Sequence, residues 1–271
     1  MLHHTVHKHK FSKDWIVFLH GIGGGSATWY KQIAAFRKEF NLVLIDFRGH
    51  GGSTDVKPEL SAYHFKDIAK EVIEVLNTLN IKKAHFVGLS FGTLVMYVLN
   101  NIASDRISSM VLGGAITRVT KFGRVLFELG NACKNMVPYM WLYKLAAYIL
   151  MPKKNHRNSR NVFVKQASML GKSEFLKWFK LCKQTNKIYP SMDTTIQIPK
   201  LYIMGSEDHM FINSTLKDTS NDTNRTVHII DNSGHVCNID NYREFNKVAI
   251  EYLNEQIMSN PFELHKSSSS F

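Results

Sequence analysis

A serine set between two glycines, where a strand-like run gives way to a helix-like run, constrains this chain more than any other feature. Residues 84–101 read AHFVGLSFGTLVMYVLNN, and Gly88-Leu89-Ser90-Phe91-Gly92 forms a G-x-S-x-G between the apolar pair Phe86 and Val87 and the helical run Thr93 to Leu99. A strand, a one-residue corner and a helix force the corner residue into strained backbone and push its side chain out of the sheet, as an exposed nucleophile requires. Side chains at residues 88 and 92 would collide as strand and helix close on each other, so both glycines answer a steric need. An ordinary loop could carry the same five letters. The strand before it and the helix after it favour the corner.

Around this point short apolar runs alternate with amphipathic ones. Trp15 to Leu19 (WIVFL), Asn41 to Ile45, Ile107 to Leu112, Lys200 to Met204 and Thr226 to Ile230 have strand length. Helical spacing appears over Trp29 to Phe40 with Thr28 as N-cap, over Ser61 to Leu79, near Asn213 to Lys217 and over Tyr242 to Ile257. Such alternation predicts an α/β fold with a mostly parallel sheet flanked by helices. It stops after Gly113-Gly114. From Thr117 to about Ser191 helical patterns follow one another without a strand, so residues 1–116 and 192–258 are expected to form the core, 117–191 an inserted helical cap, and 259–271 a disordered tail.

Charge separates the cap from the rest. The formal net charge is +12, yet Thr117 to Pro190 holds 15 Lys or Arg and only Glu128 and Glu174, leaving 19 bases and 20 acids elsewhere. Val137 to Met151 (VPYMWLYKLAAYILM) is too short and too interrupted by Lys144 to span a bilayer. It suits a lid helix whose apolar side covers a site, or a surface resting on an anionic membrane, since MPKKNHRNSR follows it. Solvated charge on an ordinary helical cap is the plainer account. No nucleic-acid-binding motif accompanies the positive charge, so that partner is not expected. Cys133, Cys182 and Cys237 are odd in number and far apart, which argues against disulfides and a Cys-based zinc site and for a reducing cytoplasm. The N-terminus lacks the apolar run of a secretory signal. His3, His4, His7 and His9 fit an exposed hairpin strand or a loose terminus better than a metal site.

A serine hydroxyl is a weak nucleophile at neutral pH and needs a base and a third group to orient it. Downstream of Ser90, carboxylates follow one strand (Glu207, Asp208) and a histidine follows the next (His235). Loops after parallel strands emerge at one edge of a sheet, where ligands bind. The turn His20-Gly21-Ile22-Gly23-Gly24-Gly25 lacks the Lys-Ser/Thr ending of a phosphate loop, and its amides suit a developing oxyanion instead. Asp46 and Arg48, in DFRGHGGS, are expected to satisfy each other and nearby loop amides.

With HGIGGG at 20–25, DFRGHGGS at 46–53, GLSFG at 88–92, GSEDH at 205–209 and SGH at 233–235 in that order, the chain resembles an α/β-hydrolase from about Trp15 to Ile257. The resemblance implies Ser90 as nucleophile, His235 as general base and then acid, Asp208 as the orienting carboxylate with Glu207 its competitor, and the amides of Ile22 and Phe91 as oxyanion donors. His20 would shape the oxyanion loop. A helical cap after the strand that follows the corner is implied too. The short N-terminus departs from the family pattern and puts the leading antiparallel hairpin in doubt. The expected chemistry is cleavage of a carboxylic ester, thioester or lactone by an acyl-enzyme route, without metal or organic cofactor, on a hydrophobic or anionic small molecule. A lyase or C–C hydrolase acting on an anionic substrate is the rival, favoured if the basic cap residues face the pocket. A non-catalytic ligand-binding or membrane-surface module is the alternative of another class.

Overall fold

Seven strands form one sheet in the computed structural model, which describes residues 1–56, 63–133, 136–193 and 195–259. They are β1 (His4–His7), β2 (Trp15–Leu19), β3 (Asn41–Ile45), β4 (Ala84–Leu89), β5 (Ile107–Gly113), β6 (Lys200–Gly205) and β7 (Arg225–Ile230), in the order β1-β3-β2-β4-β5-β6-β7. All neighbours are parallel except β1, which runs antiparallel along β3 with His4 opposite Ile45 and His7 opposite Leu42. The leading antiparallel hairpin, which the short N-terminus put in doubt, is reduced to a single edge strand that skips β2. His3 is not loose either, because its Nδ1 lies 2.9 Å from Asp46 Oδ2.

The central strands read as unbroken apolar runs because both faces of the sheet are covered. Val17, Leu19, Phe86, Met110, Leu112, Tyr202 and Met204 point into one core, against helices α2 (Phe65–Thr78) and α3 (Phe91–Ile102). Their chain neighbours Ile16, Phe18, Val87, Val111, Leu201 and Ile203 point into the other, against α1 (Tyr30–Phe36) and α11 (Tyr242–Met258). In α2 the residues Phe65, Ile68, Val72, Val75 and Leu76 form the buried stripe that the 3.6-residue period demands. The predicted start of that helix at Ser61, and residues 260–271 of the predicted tail, fall outside the described residues.

Two helix expectations are corrected. The helix predicted over 29–40 is a 3-10 turn at Ser26–Trp29 followed by α1 and then by turns that deliver Phe40 to the core. Thr28 does not cap α1, whose N-cap is Trp29, and its Oγ1 accepts from the Gly25 amide instead. Asn41 must begin β3 at once, opposite Trp15, so the helix has to end early.

Between β5 and β6 the chain forms α4 (Lys121–Cys133), α5 (Tyr139–Leu150), α6 (Arg157–Ala167), α7 (Lys172–Leu181) and the short α8 (Thr185–Ile188). No strand lies among the described residues of this stretch. After β6 come α9 (Ile212–Asp218) and, beyond β7, α10 (Cys237–Asp240) and α11. No helix of the described residues is long and apolar enough to cross a membrane.

The corner between β4 and α3 depends on close approach. A Cβ at Gly92 would overlap the Leu19 carbonyl oxygen of β2, and one at Gly88 would overlap Met96 Sδ of α3. Backbone cannot yield as a side-chain tip can, so Gly92→Ala should cost about 1–3 kcal/mol or more and Gly88→Ala less, as read from urea unfolding midpoints.

Candidate active site

Ser90 occupies the turn between β4 and α3 with φ 52° and ψ −115°, a backbone conformation that costs a non-glycine residue about 1–3 kcal/mol. Its amide donates to Gly113 O at the end of β5 (2.9 Å), and its carbonyl accepts from the amide and the hydroxyl of Thr93 (2.9 and 2.6 Å). The side chain is thereby lifted off the sheet edge. His235, in the loop after β7, places Nε2 2.7 Å from Ser90 Oγ, and Asp208, in the loop after β6, places Oδ2 2.8 Å from His235 Nδ1. Asp208 and His235 are essentially inaccessible, and Phe211 lies against the imidazole with ring centroids 5.0 Å apart. A carboxylate on Nδ1 keeps the proton there and leaves Nε2 free to accept the serine proton. The two loops are tied by backbone bonds, Ser206 N to Ile230 O and Glu207 N to Ser233 O, each 2.9 Å.

The two neighbouring acids are separated by geometry. Glu207 turns away from His235 to accept from Lys153 Nζ (2.7 Å), Asn155 Nδ2 (2.9 Å) and His156 Nε2 (2.7 Å). Hydrogen bonds from Lys153 and Asn155, then His156, hold its carboxyl at about 2. His156 is fully buried over Gly234, the residue before His235, so this cluster joins the segment ahead of α6 to both loops that bring Asp208 and His235 to Ser90.

The glycine turn after β2 sits directly on the serine, since a Cβ at Gly21 would lie 3.3 Å from Ser90 Cβ. Two buried histidines shape it. His50 Nε2 accepts from the Gly23 amide (2.9 Å) while His50 Nδ1 donates to Arg48 O (3.0 Å). His20 Nε2 accepts from the Phe47 amide (3.0 Å) and Nδ1 donates to Gly21 O (2.7 Å). Burial lowers both, His50 to about 3 with help from the neighbouring His20, so both rings stay neutral and act as acceptors. Gly24 N bonds Gly21 O, but the amides of Ile22 and Phe91 donate to no acceptor among the described residues. The Ile22 carbonyl accepts from Tyr143 Oη of α5 at 2.9 Å.

Asp46 and Arg48 do not satisfy each other. Asp46 accepts from the amides of Ser26 and Gly52 and faces His3, and although burial opposes it, the Gly52 and Ser26 amides keep its carboxyl below its usual range. Arg48 instead forks onto Glu71 of α2, with Nε 3.0 Å from each oxygen. A carboxylate ringed by turn amides has no need of a guanidinium. Sequence reasoning missed His50, Glu71 and His156; for His50 the signal was its place among the glycines of RGHGG.

A cavity of about 20 Å³, the room of one water-sized group, lies above Ser90 and His235 and is lined by Ile22, Ser159, Phe163, Gln166 and Val162 among others. None of its lining residues is Lys or Arg. Among the described residues no group of three or more His, Cys, Asp or Glu is placed to hold a metal.

Residues 14–132 match the family model described as alpha/beta hydrolase fold. The chain is 24% identical over 234 residues to an (E)-2-((N-methylformamido)methylene)succinate hydrolase of Acinetobacter baylyi, covering 83% of this chain and 84% of that protein. It is 27% identical over 263 residues to a 2-hydroxy-6-oxononadienedioate/2-hydroxy-6-oxononatrienedioate hydrolase of Burkholderia vietnamiensis, covering 88% and 86%. The solved enol-lactonase from Burkholderia xenovorans superposes with a TM-score of 0.78 over 93% of this chain and 96% of that one, at 19% identity.

Glu207→Gln tests the separation of the two acids. The folded carboxyl is held below its ordinary value of 4.5, so its contribution to stability is complete above that value and fades as pH falls toward about 2. The melting-temperature gap between wild type and variant should stay constant above about pH 5 and close below it.

Proposed function

The chain is an enzyme of the α/β-hydrolase superfamily, and we propose that it cleaves a carboxylic ester, thioester or lactone, uncharged around the carbonyl, through an acyl-enzyme. The observation that carries this reading is the unbroken relay from Asp208 Oδ2 through His235 to Ser90 Oγ, at 2.8 and 2.7 Å. Relatives named as hydrolases support the hydrolytic part of this reading.

As Ser90 Oγ bonds to the carbonyl carbon, its proton passes to His235 Nε2, and the imidazolium that forms is stabilised by the buried Asp208 carboxylate. Negative charge growing on the carbonyl oxygen meets the unused amides of Ile22 and Phe91, each contributing about 3 kcal/mol of transition-state stabilisation. Phe91 is the first residue of α3, so its N–H has no intrahelical acceptor and carries the positive end of the helix dipole. His235 returns the proton to the leaving oxygen or sulfur, then takes one from the water that attacks the acyl carbon and hands it to Ser90 Oγ as the acid departs.

Carbon–carbon cleavage of an anionic substrate needs cations near its carboxylates, and one relative is named for a dioate. The absence of Lys and Arg from the lining of the Ser90 cavity supports the uncharged ester or lactone instead. The basic residues of the inserted helices, expected to favour the anionic substrate if they faced the pocket, are not part of that lining. The free thiols of Cys133, Cys182 and Cys237 fit a reducing compartment.

A fluorophosphonate probe should label the wild type and leave Ser90→Ala unlabelled. Asp208→Asn should lower kcat on a neutral ester by about 10⁴-fold while Glu207→Gln stays within about threefold. Failure of the folded wild type to label, or a Glu207 loss as large as that of Asp208, would overturn the assignment.

A further inference from the structure

The positive charge of the inserted helices accompanies an apolar face that they leave uncovered. α4 and α5 pack on the same side of α7, because Phe127 of α4 stacks on Phe179 (centroids 4.2 Å apart) and Tyr139 and Tyr143 of α5 meet Phe175 (5.5 and 5.9 Å), one turn earlier. At about 100° per residue, Phe122, Val125 and Leu129 lie roughly 160–220° round α4 from Phe127. Trp141, Leu145 and Tyr148 lie roughly 140–200° round α5 from Tyr143. Both stripes thus lie off the α7 contacts, with Val125 and Leu129 bordering an open cavity beside the turn after α7, and all six side chains are 58–70% exposed. Met136, between the helices, is 83% exposed. An apolar face of this extent on a monomer marks a contact surface.

Its flanks identify what it contacts. Lys121, Arg124 and Lys144 stand exposed beside the two stripes, and Glu128, the acid on these helices, has Lys183 3.8 Å away. An open cavity of about 870 Å³ beside α4 and the turn after α7 combines the apolar walls Val119, Val125, Phe127 and Leu129 with Lys121, Arg124 and Lys183, three cations against the one acid Glu128. Apolar walls beside cations suit an acyl chain ending in an anionic head group. A second copy of this chain would bring two such basic segments together, and like charge opposes that. Trp and Tyr at the border of the apolar and charged zones favour the interface of a bilayer.

We propose that the outward face of α4 and α5 docks the protein on an anionic lipid bilayer. The apolar stripes enter the acyl boundary, and the lysines and arginine reach the head groups along their own aliphatic stems. The docking does not depend on Ser90 chemistry.

The full-length protein reports on this through Trp141, since Trp29 and Trp178 are buried and Trp15 is half-buried. Mixed with phosphatidylcholine vesicles containing about 30% phosphatidylglycerol, it should co-sediment and its tryptophan emission should move to the blue. Pure phosphatidylcholine should bind it at least about tenfold more weakly, and about 0.5 M salt should release most of it. Trp141→Phe should abolish the emission shift but keep the sedimentation, and Val125→Ser with Leu145→Ser should lower partitioning by about tenfold at an unchanged melting temperature. If that pair unfolds the protein, Lys121→Glu with Lys144→Glu should give the same loss. Three results would each overturn the proposal: no sedimentation, equal sedimentation with zwitterionic vesicles, or a concentration-dependent dimer that buries Trp141 and that vesicles do not compete away.

Discussion

Everything in this molecule is arranged around one strained backbone position. Ser90 can hold φ 52° only because the amide behind it is bonded to β5 and because Gly92 lies against the carbonyl of β2. Three adjacent parallel strands therefore meet at the corner, and their packing in two opposed cores outweighs the local cost. The same parallel arrangement sends the loops after β6 and β7 to the edge where the serine emerges. A shift of one strand relative to its neighbours would separate Asp208 from His235.

Charge is distributed so that the corner stays nearly free of it. His20 and His50 are buried neutral, Asp46 is absorbed by turn amides, Arg48 by Glu71, and Glu207 by Lys153, Asn155 and His156. Asp208 is left as the carboxylate that reaches the imidazole. In a site so enclosed, a stray ion would act over long distances because little solvent screens it.

Much of the core was legible in the sequence. Strands buried on both faces must be apolar at every position, so WIVFL and KLYIM announce themselves, and the alternation with amphipathic stretches orders them in a sheet. Candidate site residues that sit in loops directly after strands could be brought together by topology alone, as Ser90, Asp208 and His235 are. What escaped was set by long-range contact. Whether Arg48 meets Asp46 or Glu71 depends on where α2 passes, and the early end of α1 depends on the register of Asn41 against Trp15. β1 pairs with β3, not β2, which four polar-looking residues do not announce. In the helical stretch, spacing marks α5 and α7 but says nothing of which side Trp141 or Trp178 takes; the first is exposed and the second wholly buried.

The peptide joining Ile22 to Gly23 is gripped from both ends: its carbonyl by the Tyr143 hydroxyl of an inserted helix, its N–H by His50 in the turn after β3. One clamp belongs to the core and the other to the inserted stretch, whose α6 lines the cavity above Ser90. The plane of the glycine turn beside Ser90 is thus set jointly by the core and by an inserted helix, and neither fixes it alone.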